Sequence, residues 1–214
     1  MILGTLVDII GLMDNDHFIY FDVGNTLVDC TNYFRAATTT FHLKSDDLNR
    51  VFKENLDSVT KGLINAQQFW EICIQRYNIQ NAHSYNFLES WVSDYEPIEQ
   101  MHEVLIKLKQ KYHIGLLSNI YKGMLPLLLE KKLIPNIQYD QVIFSCEVGM
   151  MKPNANIYAF AQQKAQVDAK NILLIDDKPD FIAGAQKAGW KTFLFNDKDR
   201  ANSIKELEEY LLHF

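Results

Sequence analysis

The chain has 214 residues, of which 48% are apolar, and a formal net charge of −6. That length allows one domain or one domain with an insert, and the apolar content is ample for a core. The absence of a basic excess excludes nucleic acid as an expected partner, and Cys30, Cys73 and Cys146 lack metal-type spacing, so free thiols in a reducing cytoplasm are expected.

Residues 1–13 are apolar (Ile2, Leu3, Leu6, Val7, Ile9, Ile10, Leu12) but carry Asp8. The stretch lacks the basic start and small-residue cleavage site of a signal peptide, and it is too short to span a bilayer. No membrane partner is expected, and packing against the body is the default. A strand is predicted over 18–21 (Phe18, Ile19, Tyr20, Phe21), ending in a lone carboxylate, Asp22. Gly24 and Asn25 then form a turn, and Asn25 suits left-handed geometry better than most residues. Thr26 is expected to order that loop.

From 30 to 96 the pattern is helical. Leu48, Val51, Phe52, Asn55, Leu56 and Val59 share a face behind a cap at Ser45, and Phe69, Trp70, Cys73, Ile74 and Tyr77 share another behind a cap at Asn65. A third piece covers 84–95, and Pro97 marks a boundary. Ile98, Met101, Leu105, Leu108 and Tyr112 repeat at helical spacing and lead into a strand over 114–117. Strands over 142–144, 172–175 and 192–195 then alternate with helices over 122–132, 154–165, 179–188 and 204–212. Gly189 sits where a helix C-terminus commonly ends. Such alternation implies right-handed βαβ units, hence an α/β fold with a parallel sheet between helix layers.

The chemistry-bearing residues fall at element ends. Ser118-Asn119 closes the strand of Y-H-I-G-L-L-S-N, Lys152 precedes Pro153 and a helix start, and Asp176-Asp177 closes I-L-L-I-D-D-K-P-D. With F-I-Y-F-D-V-G-N-T-L-V-D ahead of them, these four segments resemble, from about Phe18 to the C-terminus, the haloacid dehalogenase superfamily of phosphatases and related hydrolases. The resemblance implies a Rossmann-like core over 1–29 and 97–214 with an inserted all-helical cap over 30–96. It also implies a phosphomonoester hydrolase in which Asp22 is the nucleophile. The D-x-G-N-T-L form of the first motif resembles the branch that contains α-glucose-1-phosphatase, so the small phosphorylated metabolite implied as substrate includes the sugar phosphates.

By the same resemblance Ser118 donates to the phosphoryl oxygens and Lys152 pairs with Asp22 and the phosphoryl group, with Asn119 and Thr26 completing the substrate-binding set. Mg²⁺ is the implied cofactor, held by Asp22, the Gly24 carbonyl and the pair Asp176–Asp177, with Asp177 direct and Asp176 through water. The bland readings are a Ser-Asn helix cap, a solvated lysine and an acidic helix N-terminus, the last of which accounts well for Asp180.

Gly24 departs from the family pattern, where a second Asp two residues after the nucleophile protonates the leaving oxygen. Three readings follow: a phosphatase suited to acidic leaving groups or borrowing a proton from Asp29 or His42; a pseudoenzyme that binds a phosphorylated ligand or a protein; and a 2-haloacid dehalogenase, whose halide leaves without a proton but whose chemistry needs no acidic pair. Trp70, Tyr77, His83 and Trp91 are candidate pocket residues in the insert, with helix-packing core the expected role of Trp70 and Trp91.

Overall fold

A computed structural model describes residues 14–214. The expectation for 1–13 lies outside the described residues. Five parallel strands form the central sheet: β1 (Asp14–Phe21), β4 (Tyr112–Ser118), β5 (Gln141–Phe144), β6 (Ile172–Asp176) and β7 (Lys191–Leu194), in the spatial order β5-β4-β1-β6-β7. β1 is central because both of its edges are paired and both of its faces are covered, which is why 18–21 reads as an unbroken apolar run rather than an alternating one. The alternation is between two cores. Phe18 and Tyr20 pack with Tyr158, Ala161, Ala185 and Trp190, while Ile19 and Phe21 join the larger cluster on the opposite face. The buried Tyr20 hydroxyl donates to the Ala161 carbonyl at 2.8 Å.

Helices α5 (Glu99–Lys109), α6 (Met124–Glu130), α8 (Ala155–Ala165), α9 (Pro179–Lys187) and α10 (Arg200–Leu211) flank the sheet, with a short α7 (Ser145–Val148) after β5. Gly189, at φ 82°, closes α9 as expected. Between the first two sheet strands lie α1 (Arg35–Thr40), α2 (Ser45–Thr60), α3 (Ala66–Tyr77) and α4 (Phe87–Val92). They pack on an aromatic cluster in which Phe34, Phe52, Phe69, Phe87 and Trp91 meet at centroid distances of 5.0–6.0 Å. A two-stranded ribbon, β2 (Val28–Asp29) with β3 (Glu96–Pro97), joins this insert to the sheet.

Local chemistry explains where expectations held and where they shifted. Asn65 and Gln68 form a reciprocal capping box on α3, each side chain accepting from the other's backbone N–H at 2.9 Å. Ser45 does not cap α2; it is the first helical residue, and Lys44 takes the cap position without a side-chain bond. The third helical piece is shorter than 84–95, because Asn86 caps it by accepting from the Glu89 N–H at 3.2 Å and so fixes its start. The ribbon and α7 lie below the length at which periodicity can be read.

Candidate active site

The order β5-β4-β1-β6-β7 reverses at β1, so the C-terminal ends of β4, β1 and β6 open a crevice at the switch point of the sheet. Asp22 leaves β1 there, its N–H donating to the Ile175 carbonyl at 2.9 Å, which sets it beside Asp176 at the end of β6. Ser118 ends β4 and is buried. One oxygen from each of Asp22, Asp176 and Asp177 falls within 4.8 Å of the others.

Lys152 arrives from the loop before α8 and is completely buried, not solvated. Its ammonium donates to Asp22 Oδ1 at 2.9 Å and to Asp176 Oδ2, and lies 4.9 Å from the centre of the Phe181 ring. Burial alone would lower this amine; the negative charges of Asp176 and Asp22 outweigh it and raise the pKa, so the lysine keeps its charge. Burial pushes Asp176 up, with Lys152 opposing and Asp22 adding to the rise. Both Asp176 oxygens are engaged, Oδ2 with Lys152 and Oδ1 with the Lys178 N–H at 2.8 Å. Asp177 differs: Oδ2 accepts from Lys178 Nζ at 2.6 Å and from Asn25 Nδ2 at 3.5 Å, while Oδ1 is buried without a protein partner. Three convergent carboxylates, one with an orphaned oxygen, suit a hard divalent cation such as Mg²⁺. Asp180 is exposed in the first turn of α9, where the helix dipole accounts for it.

The turn after Asp22 is tight. Leu27 and Val28 N–H groups both reach back to the Val23 carbonyl at 2.9 Å, and Asn25 takes φ 54°. Asn25 Oδ1 accepts from the Cys30 N–H at 3.2 Å and from its thiol at 3.3 Å. A Cβ built on Gly24 would lie 3.3 Å from Cys30 Sγ, so this thiol fills the ground beside the missing side chain. Burial, then the charges of Asp22 and Asp177, push the Cys30 thiol up to about 12, which keeps it neutral and poorly nucleophilic.

Ser118 and Asn119 do not cap a helix, since α6 begins after Gly123. Asn119 instead clamps the backbone of Lys152, donating to its carbonyl at 2.8 Å and accepting from its N–H at 2.9 Å. That leaves a second amide hydrogen and a second oxygen lone pair, and Asn119 lines both cavities of the site. The Thr26 hydroxyl is buried without a partner, and its side chain lines neither cavity of the site. Neither suggested proton donor is placed to act. Asp29 is paired with Arg200 at 2.7 Å and held at about 2; partial burial would raise it, but the Arg200 and Thr31 hydrogen bonds prevail. His42 is exposed and lines no cavity of the site.

Two compartments meet over these groups. The inner one, about 360 Å³, is lined by Asp22, Lys152 and Phe181; the outer, about 590 Å³, is lined by Tyr33, Phe52, Trp91, Tyr95, Tyr121 and Leu128. They share Gly24, Asn25, Cys30, Ser118, Asn119, Tyr121, Asp177 and Lys178. Of the four insert residues singled out from the sequence, only Trp91 lines the outer chamber, and it is also core, as expected. Trp70 is core, donating to the Ala82 carbonyl at 2.9 Å, and His83 pairs with Glu71. Tyr33, Phe52, Tyr95 and Tyr121 escaped sequence reasoning because their elements are far apart in the chain.

A model of the haloacid dehalogenase-like hydrolases matches residues 19–195. The chain belongs to that family. Among curated relatives, the pyrimidine 5′-nucleotidase YjjG of Escherichia coli is 23% identical over 91% of this chain and 97% of its own length. The bifunctional epoxide hydrolase 2 of Rattus norvegicus is 32% identical, but that match spans 33% of the chain and 12% of the rat protein. A predicted hydrolase of the family from Porphyromonas gingivalis superposes with a TM-score of 0.72 at 20% identity, covering 91% of this chain and 97% of that one. A family enzyme of Bacteroides thetaiotaomicron, in complex with magnesium and inorganic phosphate, gives 0.69 at 20%, covering 85% and 94%. A 2-haloacid dehalogenase of Pseudomonas syringae gives 0.63 at 17%, covering 84% and 86%. At these identities the superpositions show the fold.

Proposed function

We propose that this hydrolase cleaves small organic phosphate monoesters with Mg²⁺, through a phosphorylated Asp22. The observation that carries the reading is the convergence of Asp22, Asp176 and Asp177 within 4.8 Å beside the buried Lys152. Halide displacement from a carbon has no use for that acidic cluster, whereas a phosphate dianion approaching a carboxylate needs its charge neutralised. The phosphate-bearing B. thetaiotaomicron enzyme and the nucleotidase relative support the same direction.

In the first step an Asp22 oxygen attacks phosphorus and the P–O bond to the organic group breaks, that oxygen leaving with the electron pair. In the second, water attacks the same phosphorus and restores Asp22 with release of inorganic phosphate. Asp22, the Gly24 carbonyl, Asp177 directly and Asp176 through water would hold Mg²⁺, which supplies charge neutralisation when bound. The orphaned Oδ1 of Asp177 and the fully engaged oxygens of Asp176 favour that division. Lys152 orients Asp22 and offers its charge to the phosphoryl group, Asn119 holds Lys152, and the Ser118 hydroxyl donates to a phosphoryl oxygen. Of the described residues, 14–29 and 97–214 would form the catalytic core and 30–96 the cap. The free cysteines fit a cytoplasmic setting.

The test is turnover of an aryl phosphate by the wild type and by Asp22→Asn, each with Mg²⁺ and in excess EDTA. Activity is expected only in the wild type with Mg²⁺. Equal activity in EDTA, or turnover by Asp22→Asn beyond a small fraction of wild type, would remove the assignment. No ester turnover at all, with phosphate still bound, would leave a pseudoenzyme, the reading that Gly24 favours.

A further inference from the structure

The outer chamber carries information about the organic half of the substrate. Its wall combines aromatic residues of the insert (Tyr33, Phe52, Trp91, Tyr95) with Tyr121 and Leu128 from beyond β4. The rings are mutually braced: Trp91 and Tyr121 stack at 4.5 Å with planes 24° apart, and Phe52 meets Tyr121 edge-on at 5.6 Å. Such a wall is rigid and offers ring faces and edges to a ligand.

Most polar side chains in the same wall are already committed, Lys178 to Asp177 at 2.6 Å and Lys198 to Asp197 at 2.7 Å among them, with the Ser118 and Tyr121 hydroxyls as exceptions. The Tyr33 hydroxyl bonds Asn49 Oδ1 at 3.0 Å, and the Thr31 hydroxyl bonds Asp29 at 2.7 Å. Asn119 bonds the Lys152 backbone through both ends of its carboxamide, and Asn25 bonds Cys30 and Asp177. A polyol entering here would exchange water for partners that are mostly occupied, at a cost of roughly tenfold in affinity for each stranded hydroxyl. A planar ring loses nothing of that kind.

We propose that the chamber selects phosphate monoesters whose organic part carries a planar aromatic ring, and rejects polyhydroxylated ones such as sugar phosphates. The proposal rests on the phosphatase reading of the inner compartment and names the class of group it releases. A ring attached directly to the phosphate and a ring set further off, as in a nucleoside 5′-monophosphate, share this chemistry.

Binding of 1-naphthylphosphonate and methylphosphonate, which cannot be hydrolysed, is measured by calorimetry in Mg²⁺, and kcat/KM for 1-naphthyl phosphate, a pyrimidine nucleoside 5′-monophosphate, glucose 1-phosphate and glycerol phosphate by phosphate release. The naphthyl compound is expected to bind at least about tenfold more tightly than the methyl one. Both ring-bearing esters are expected to exceed glucose 1-phosphate and glycerol phosphate, and the better of the two identifies where the ring sits. Tyr33→Leu and Tyr95→Leu, checked for folding by melting temperature, should shrink the naphthyl-to-methyl ratio several-fold while leaving methylphosphonate binding in place, since neither residue lines the inner compartment. Phosphonates that bind within twofold of each other, or sugar and glycerol phosphates turned over as fast as ring-bearing ones, would overturn the proposal while the phosphatase reading stands. Ring-selective binding without hydrolysis of any ester would do the reverse.

Discussion

Single residues divide the work at the sheet edge by which of their atoms are free. Asp177 retains an unpartnered buried oxygen and Asp180 points to solvent one turn on. Asp177→Ala should therefore raise the Mg²⁺ concentration for half-maximal activity at least about tenfold, the size of a lost ligand or its support, and Asp180→Ala should leave it within twofold; a magnesium titration of initial rates decides. Gly24 supplies no acid, and Asp29, held at about 2, and the outlying His42 offer no substitute. Rates should then depend steeply on leaving-group acidity. Gly24→Asp should flatten that dependence, by up to about 10²–10⁴-fold for poor leaving groups, provided Cys30 Sγ yields a few tenths of an ångström to the new Cβ at 3.3 Å. The pairing Gly24→Asp with Cys30→Ala removes that contact and should enhance the effect. A flat wild-type plot of log kcat/KM against leaving-group pKa would mean that another group already donates the proton.

Elements decide how the insert sits on the core. The C-terminus of α2 reaches α7, where the buried Ser145 hydroxyl donates to the Thr60 carbonyl at 2.7 Å and accepts from the Ile120 N–H at 3.1 Å. The chain then turns at Gly62, with φ 71°. A Cβ there would stand 2.3 Å from the Cys146 carbonyl oxygen, which backbone cannot evade cheaply. Gly62→Ala should destabilise the protein by about 1–3 kcal/mol, combining left-handed strain with a forced shift. It should also raise KM, since α2 carries Phe52 of the chamber wall. Urea denaturation and steady-state kinetics on the same preparation check both, and an unchanged midpoint would show that the α2–α7 contact yields without cost.

At the scale of the whole molecule, one apolar cluster runs from the sheet face through to the insert, so the two parts share a core. Their connecting ribbon is tied down at Asp29 by Arg200, the first residue of α10. Because the folded pKa of Asp29 lies below its ordinary value of 3.8, this contribution is fully present above about pH 4 and is lost as pH falls through about 2. Arg200→Leu should accordingly lower Tm at pH 6, with the gap from wild type closing between pH 4 and pH 2. A gap independent of pH would assign the loss to packing. The sequence by itself determined the parallel α/β sheet and the positions of Asp22, Ser118, Lys152 and Asp176–Asp177, because a buried strand is a local run of residues and its last residue is legible as such. It also determined the absence of a second carboxylate at Gly24. Only the tertiary structure decided that Lys152 is buried between two carboxylates, that Asn119 clamps it, that Thr26 is sealed away, and that Tyr33, Phe52, Trp91, Tyr95 and Tyr121 form one wall. Those facts depend on which surfaces of distant elements face each other, and periodicity, which reports only a residue's own element, carries no record of that.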